Sequence, residues 1–361
     1  MSEPPARRDP LVDLIVAVHT EARPIARAVG SVIEGTSAPV RVTVVAHNIA
    51  PELIARRLGG LADHPGVRLV SHADGIHSPS GPLNAGLDLA TARFTSVMGS
   101  DDELAPGAID SWLAVNRAVG ADMVLARVER VGIGLVKEPP VRPGRTARLD
   151  GVRDRLAYRS APLGLISRER FGDLRFDAGL PSGEDIAYVN RIWFSGAPIA
   201  FDRRGPAYLV HDDADDRVTS GPRPVASDFA FLDGLLDVTW FDELPSRARE
   251  ALVVKLLRTQ LFDAVLNRIG SSWSDSERAD LTAVARRILQ ASPGAERLLS
   301  RLDRNLLDAI LDPHTPHDRL AILSEARRRY ATAPAVLTRR LRDALHPQAP
   351  FRTLAAGYLV R

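Results

Sequence analysis

A chain of 361 residues with 45% hydrophobic and 25% charged residues and a mean hydropathy of −0.08 has ordinary globular values, which exclude a disordered, collagen-like or coiled-coil protein. It has no cysteine, which removes disulfides, thiolate zinc sites and a cysteine nucleophile. The net charge of +2 conceals an asymmetry: residues 245–361 carry 20 Arg or Lys against 12 Asp or Glu, and residues 1–244 carry 27 against 33.

The first 130 residues alternate β-branched apolar runs with helical patterns. VDLIVAVH (12–19) predicts a strand, RPIARAVGSVIEG (23–35) a helix, VRVTVVAH (40–47) a strand, PELIARRLGGL (51–61) a helix and VRLVSH (67–72) a strand. The helix NAGLDLATA (84–92), the strand FTSVMGS (94–100), the helix PGAIDSWLAVNRAVG (106–120) and the strand ADMVLARVERV (121–131) continue the series. This is the pattern of a mostly parallel α/β sheet flanked by helices, in which ligands bind beyond the carboxyl ends of the strands.

Residues 132–157 read as a long connection, followed by GLISRERF (164–171), a helix opening at LPSGEDIAYV and reaching about Ser195, and the short runs PIAFD (198–202) and AYLVH (207–211). From about Pro224 the apolar spacing becomes helical in 247–270, 276–291, 295–311 and 317–331, so an all-α C-terminal region is expected. The division falls at 1–223 and 224–361. Those basic helices leave two readings open: contact with an anionic membrane surface, or burial on the catalytic domain or on a second copy. Only two of the 47 basic residues are Lys, which fits compositional bias and solvated helix faces, and no nucleic-acid partner is expected. The start MSEPPARRDP has no apolar signal region, and runs such as LIVAV (14–18) are far shorter than the roughly 18 residues of a membrane span. The expected location is cytoplasmic, with peripheral contact at the inner membrane face.

Three clusters carry chemistry. In GSDDEL (99–104), adjacent carboxylates at a strand end repel one another unless a divalent cation or hydrogen bonds offset the repulsion, and hard oxygen ligands suit Mg²⁺ or Mn²⁺. The competing reading is that Asp101 or Asp102 caps the helix near Pro106. In SGEDIAYVNRIW (182–193), Glu184 and Asp185 occupy a first helical turn, where the dipole is expected to lower their pKa; they serve either as a general base or as caps. In YLVHDDADDRVTSG (208–221), His211 and Arg217 belong either to a loop closing on an anion or to a solvated acidic loop.

Together these segments resemble the family 2 glycosyltransferases of the GT-A fold, over residues 10–220. The likeness rests on VDLIVAVHTEARPIARAVGSVIEGT, VRVTVVAHN, SPSGPLNAGLDLATARFTSVMGSDDELAPGAID with its Asn-Ala-Gly and Asp-x-Asp-like features, and SGEDIAYVNRIWFSG. The resemblance implies that His19, Thr20 and Glu21 lie beside the base and ribose of a nucleotide-sugar, UDP-sugar being favoured. The family's acidic pair after the second strand falls on Ala46 and His47, followed by Asn48, so no carboxylate is available there and His47 or Asn48 would meet the base edge. Leu83 replaces the family's Arg while Asn84 and Gly86 are retained, and Gly99 replaces the first Asp of the acidic motif, leaving Ser100, Asp101 and Asp102. Asp101, Asp102 and His211 are then the expected ligands of Mn²⁺ or Mg²⁺, with Asp101 foremost and Arg217 helping to hold the diphosphate. Asp185 matches the catalytic base, with Glu184 as neighbour or alternate. The implied activity is inverting transfer of a sugar to a glycan or polyprenyl-linked acceptor in cell-surface polysaccharide synthesis. The alternatives are a non-catalytic GT-A-like assembly module and, less well matched because HTEARP is no Gly-rich basic loop, a nucleotidyltransferase.

Overall fold

The computed structural model describes residues 9–213, 223–270, 273–329 and 332–359. Strands β1 (Val12–Val18), β2 (Val40–His47), β3 (Val67–His72) and β4 (Phe94–Gly99) alternate with helices α1 (Ile25–Gly35), α2 (Pro51–Leu58) and α3 (Ser80–Asp88). They are followed by β5 (Glu103–Leu104), α4 (Ala108–Val119), β6 (Met123–Ala126), β7 (Val128–Arg130), β8 (Gly134–Leu135), β9 (Gly164–Ser167), α5 (Arg168–Phe171), α6 (Glu184–Trp193), β10 (Ile199–Asp202) and β11 (Tyr208–Val210). A seven-stranded sheet runs in the order β10-β6-β9-β4-β1-β2-β3, and a smaller one in the order β5-β11-β7-β8. In the large sheet β9 is antiparallel to both its neighbours, β4 and β6, while the other pairings are parallel.

Strand β1 is apolar on both faces because helices cover both, and its side chains divide between two separate cores. Its one charged residue, Asp13, is fully buried yet satisfied: Arg41 pairs with it at 2.6 Å, and the backbone N–H groups of Thr91 and Ala92 donate to it at 2.7 and 2.8 Å. Those bonds outweigh burial and lower its pKa, and they tie the start of β1 to β2 and to the approach of β4.

Two elements differ from the sequence expectation for identifiable reasons. Helix α3 starts at Ser80 and ends at Asp88, so it lies earlier than the 84–92 segment; Pro82 falls in its first turn, where a missing N–H costs nothing. The run 121–131 divides at Arg127, with β6 in the large sheet and β7 in the small one.

The C-terminal region is helical as expected, but more broken. It comprises α7 (Val225–Asp228), α8 (Phe231–Leu236), α9 (Thr239–Glu243), α10 (Ser246–Lys255), a π-helical turn at Leu256–Leu261, α11 (Phe262–Leu266), α12 (Asp275–Ala291), α13 (Arg301–Leu311), α14 (His317–Arg327), α15 (Ala333–Val336) and α16 (Pro350–Leu359). Ser274 and Glu277 close a capping box on α12, and the Ser300 hydroxyl accepts the Asp303 N–H to start α13. The apolar core of these helices, with Leu252, Phe262, Leu281 and Leu307, also takes in Ala157, Ile186 and Ala187, so α6 is packed against the helical region. Among the described residues no helix is long and apolar enough to cross a membrane.

Candidate active site

Because β1 to β4 run parallel, their carboxyl ends share one edge, and the order of connection reverses between β1 and β4. That switch point is where an open α/β sheet leaves a crevice. His19, Thr20 and Glu21 leave β1 there; the Thr20 hydroxyl accepts the Ala22 N–H at 3.3 Å, and the Glu21 carbonyl accepts from Arg57 at 2.8 Å.

On the other side of the switch point, Ser100 is buried after β4 and Asp101 forms an ion pair with Arg23 at 2.6 Å, both side chains being nearly buried. Arg27, one helical turn further on, donates to the Asp101 carbonyl and pairs with Asp213 at 2.7 Å. Asp102 turns the other way: its carboxylate accepts the Tyr208 hydroxyl at 2.6 Å and the His211 backbone N–H at 3.2 Å. The Tyr208 hydroxyl in turn accepts the Gly99 N–H at 2.9 Å, and burial beside Asp102 raises its pKa far above the usual value. A Cβ at residue 99 would lie 2.6 Å from the Asp102 carboxylate, so a larger residue in place of this glycine would have to move the Asp102 side chain. Neither Asp101 nor Asp102 caps the following helix, since α4 starts from Gly107 in the left-handed region with no side-chain cap. Arg23, Arg27 and Tyr208 are site residues that the sequence reading passed over; the first two lie one turn apart just after β1, a spacing that could have marked them.

The base-side edge changes the sequence picture in a second way. Position 47 supplies no carboxylate, but Asp74, two residues beyond β3, does so in space. It meets His47 Nε2 at 2.8 Å and His72 Nε2 at 3.2 Å, and the Asn48 side-chain oxygen accepts the N–H groups of Asp74 and Gly75 at 3.0 Å each. The Ile76 N–H donated to Asp74, with His47 and Asn48 beside it, holds that carboxyl below the usual range. The register pairs His47 with His72, the signal that would have brought Asp74 to this place. Asn84 is engaged elsewhere: its amide exchanges two 2.9 Å hydrogen bonds with the backbone of Phe176, fixing the loop before α6. Arg217 lies outside the described residues.

Glu184 and Asp185 open α6 after Gly183, whose φ of 79° is left-handed and which is not a side-chain cap. A Cβ on Gly183 would come within 3.0 Å of the Phe231 ring, so glycine lets α8 close against this turn. The sequence expectation of lowered pKa values is reversed. Burial, and after it the charge of Glu184, push the Asp185 carboxyl up to about 7, with Lys255 acting against them; burial raises Glu184 as well. Lys255 is buried with no hydrogen-bond partner for Nζ among the described residues, and burial draws it down to about 8 against the pull of Asp185, Glu138 and Asp263. Asp185 lies on the wall of a cavity of about 330 Å³ shared between α6 and the helical region.

The expected metal ligands Asp101, Asp102 and His211 do not stand as a ligand set. Asp101 is paired with Arg23, the Asp102 carboxylate accepts the Tyr208 hydroxyl and the His211 backbone N–H, and the His211 imidazole meets Glu103 at 3.1 Å. Among the described residues no three His, Asp or Glu side chains are grouped to hold an ion. A cation here requires these pairs to open.

No family model matches the chain. The succinoglycan biosynthesis protein ExoO of Rhizobium meliloti is 27% identical over 252 residues, covering 64% of this chain and 71% of that protein. Among solved structures, S. aureus TarS 1–349 in complex with UDP-GlcNAc superposes with a TM-score of 0.71 at 16% identity, over 88% of this chain and 91% of TarS 1–349. The same protein in complex with UDP gives 0.69 at 16% identity. The fold is therefore the GT-A fold, and a match over 88% of the chain extends beyond the sheet domain into the helices.

Proposed function

We propose that this GT-A protein is an inverting glycosyltransferase of family 2 that moves a sugar from a nucleoside-diphosphate sugar to an acceptor hydroxyl in cell-surface polysaccharide synthesis. The observation that carries the reading is Asp185: a carboxyl with a pKa near neutrality, on the wall of a cavity, at the helix start where the family resemblance places its base. The likeness to ExoO supports the pathway class, and the likeness to TarS bound to UDP-GlcNAc and UDP supports a UDP-sugar donor.

In this reading the donor lies along the carboxyl edge of the sheet. His47, Asn48 and Asp74 meet the base, with Asp74 supplying the carboxylate that position 47 lacks; His19, Thr20 and Glu21 flank the ribose. Asp185 accepts the proton of the acceptor hydroxyl as that oxygen attacks the anomeric carbon, and the bond to the diphosphate breaks on the opposite face, inverting the centre. Arg23 and Arg27, held beside the acidic loop by Asp101 and Asp213, bring positive charge to the leaving diphosphate when those pairs open. Mn²⁺ or Mg²⁺ dependence belongs to the proposal too; such a cation supplies Lewis-acid stabilisation of the leaving group when bound.

The acceptor is a glycan or a lipid-linked sugar. Peripheral contact with an anionic membrane and a homodimer through the helices are the two proposed uses of the exposed apolar C-terminal residues.

A thermal-shift series with UDP, GDP, dTDP and CDP, each with and without Mn²⁺, tests this on wild type and Asp101→Ala, because a ligand that binds only the native state raises Tm. The expected outcome is a rise with UDP. A rise that needs Mn²⁺ and is lost in Asp101→Ala supports the metal, whereas one indifferent to Mn²⁺ removes it. No rise with any nucleotide favours the non-catalytic module.

A further inference from the structure

The cavity beside Asp185 is built by two parts of the chain. The catalytic side supplies Ser160, Ser182 and Asp185; the other wall comes from the helical region, where the π-helical turn and α11 present Thr259, Gln260 and Asn267. A π-helical turn inserts one residue into the helical ring and recurs at functional sites. Here Leu257 and Leu261 are buried while Arg258, Thr259 and Gln260 between them are only half-buried, and Thr259 bonds back to the Lys255 carbonyl at 2.9 Å. The cavity volume, about 330 Å³, sits at the lower end of small-ligand sites.

The cations of this cavity are outnumbered by carboxyls, since Arg223 and Arg268 share the lining with Asp185, Asp228 and Asp263. Asp228 receives Arg268 at 2.6 Å and Arg223 at 3.0 Å, so the guanidinium groups at the cavity are shared with a carboxylate rather than presented to a phosphate. Beside these charged groups the lining offers uncharged ones: the hydroxyls of Ser160 and Ser182, the amides of Gln260 and Asn267, and the rings of Phe229 and Phe231, while the Thr259 hydroxyl is held by the Lys255 carbonyl and by Gln260 Oε1. Hydroxyl and amide groups pair with sugar hydroxyls, and aromatic carbon covers the C–H face of a sugar ring.

We propose that this cavity is the acceptor pocket and that the helical region, through Gln260 and Asn267, selects a neutral, hydroxyl-rich sugar terminus over a phosphate ester. The inference rests on the reading of Asp185 as the base, and it assigns the helical region a part in acceptor recognition in addition to its packing.

The test is ligand-observed saturation-transfer NMR on the full chain saturated with UDP. The probes are methyl glucoside, methyl galactoside and methyl N-acetylglucosaminide, set against glycerol 3-phosphate. At least one glycoside is expected to receive saturation and the phosphate ester none, and the signal is expected to fall by about three- to tenfold in the Gln260→Ala, Asn267→Ala double variant, the loss of one or two hydrogen bonds. Gln260 is half-buried and Asn267 exposed, so the double variant keeps its Tm and its UDP-induced rise. Silence from every glycoside, a preference for glycerol 3-phosphate, or glycoside signals unchanged in the double variant each overturn the pocket. If wild type binds none of UDP, GDP, dTDP and CDP, the glycosyltransferase reading itself falls, and the pocket with it; nucleotide binding with glycoside signals indifferent to the two substitutions removes only the pocket.

Discussion

Asp185 can be tested on its own. Its replacement by Asn keeps the shape of the side chain and removes the proton acceptor, so steady-state transfer is expected to drop about 10²-fold or more while UDP still raises Tm. Near-normal turnover would defeat the assignment. As the proposed base Asp185 works only when ionised, and its carboxyl is held up to about 7, so kcat is expected to climb with pH through that value and then level off. Lys255 opposes the shift; Lys255→Met removes a positive charge that lowers the Asp185 pKa and is expected to move the rising limb to higher pH. An unmoved limb would separate Lys255 from the base. The same shift has a sign for stability. A carboxyl whose folded pKa lies above its unfolded value stabilises the fold fully only below the unfolded value, and that contribution disappears as pH rises through about 7. Calorimetry should therefore find Asp185→Asn stabilising relative to wild type at about pH 8 and less so at about pH 5. Little of this was readable from the sequence, because the raised pKa comes from burial by helices some 70 residues away, while the local pattern offered only the helix dipole.

At the scale of elements the sequence was most informative where one physical rule dominates. Strands β2 and β3 match their apolar runs to the residue: β2 is a β-branched run buried over most of its length, and β3, half-buried at the sheet edge, is bounded by the Pro-Gly before it and the Asp-Gly turn after it. It was least informative where partners come from distant segments. The acidic loop after β4 looked like a cluster in need of a cation, yet Arg23 after β1 and Tyr208 in β11 already answer its charge. Asp74 stood among the polar residues after β3 but met His47 only through the pairing of β2 with β3. The Tyr208 hydroxyl, which accepts the Gly99 N–H and donates to Asp102, ties the two sheets together at the site, and it can be removed without changing volume much. Tyr208→Phe leaves the Gly99 N–H and the Asp102 carboxylate each short of a partner, a cost of about 1–3 kcal/mol. Denaturant unfolding should register that loss together with a weaker UDP-induced rise in Tm; an unchanged nucleotide response would place the acidic loop outside the donor site.

At the scale of the whole molecule, the core of the helical region takes in part of the sheet domain. Ile186 and Ala187, adjoining Asp185, belong to the apolar cluster of the C-terminal helices, so cutting the chain after residue 223 exposes the face of α6 that positions the base. Such a fragment is expected to unfold at lower denaturant concentration than the full chain and to lose transfer. The outer surface of the same region has another character. Leu341 and Leu345 are 67% and 68% exposed, Phe351, Tyr358 and Leu359 are also exposed, and Arg340, Arg342 and Arg352 lie among them in the sequence. Exposed apolar side chains interspersed with cations match an interface between anionic headgroups and acyl chains, where each adjacent Arg contributes about 1 kcal/mol. The full chain is therefore expected to float with phosphatidylglycerol vesicles and to stay behind with phosphatidylcholine ones. Added salt should weaken the binding by screening, and Leu341→Ser with Leu345→Ser should abolish it without altering transfer to a soluble acceptor. If the chain instead fails to float and sediments as a dimer that these two substitutions dissociate, the apolar residues belong to a second copy, and the basic charge of the region is a solvated face.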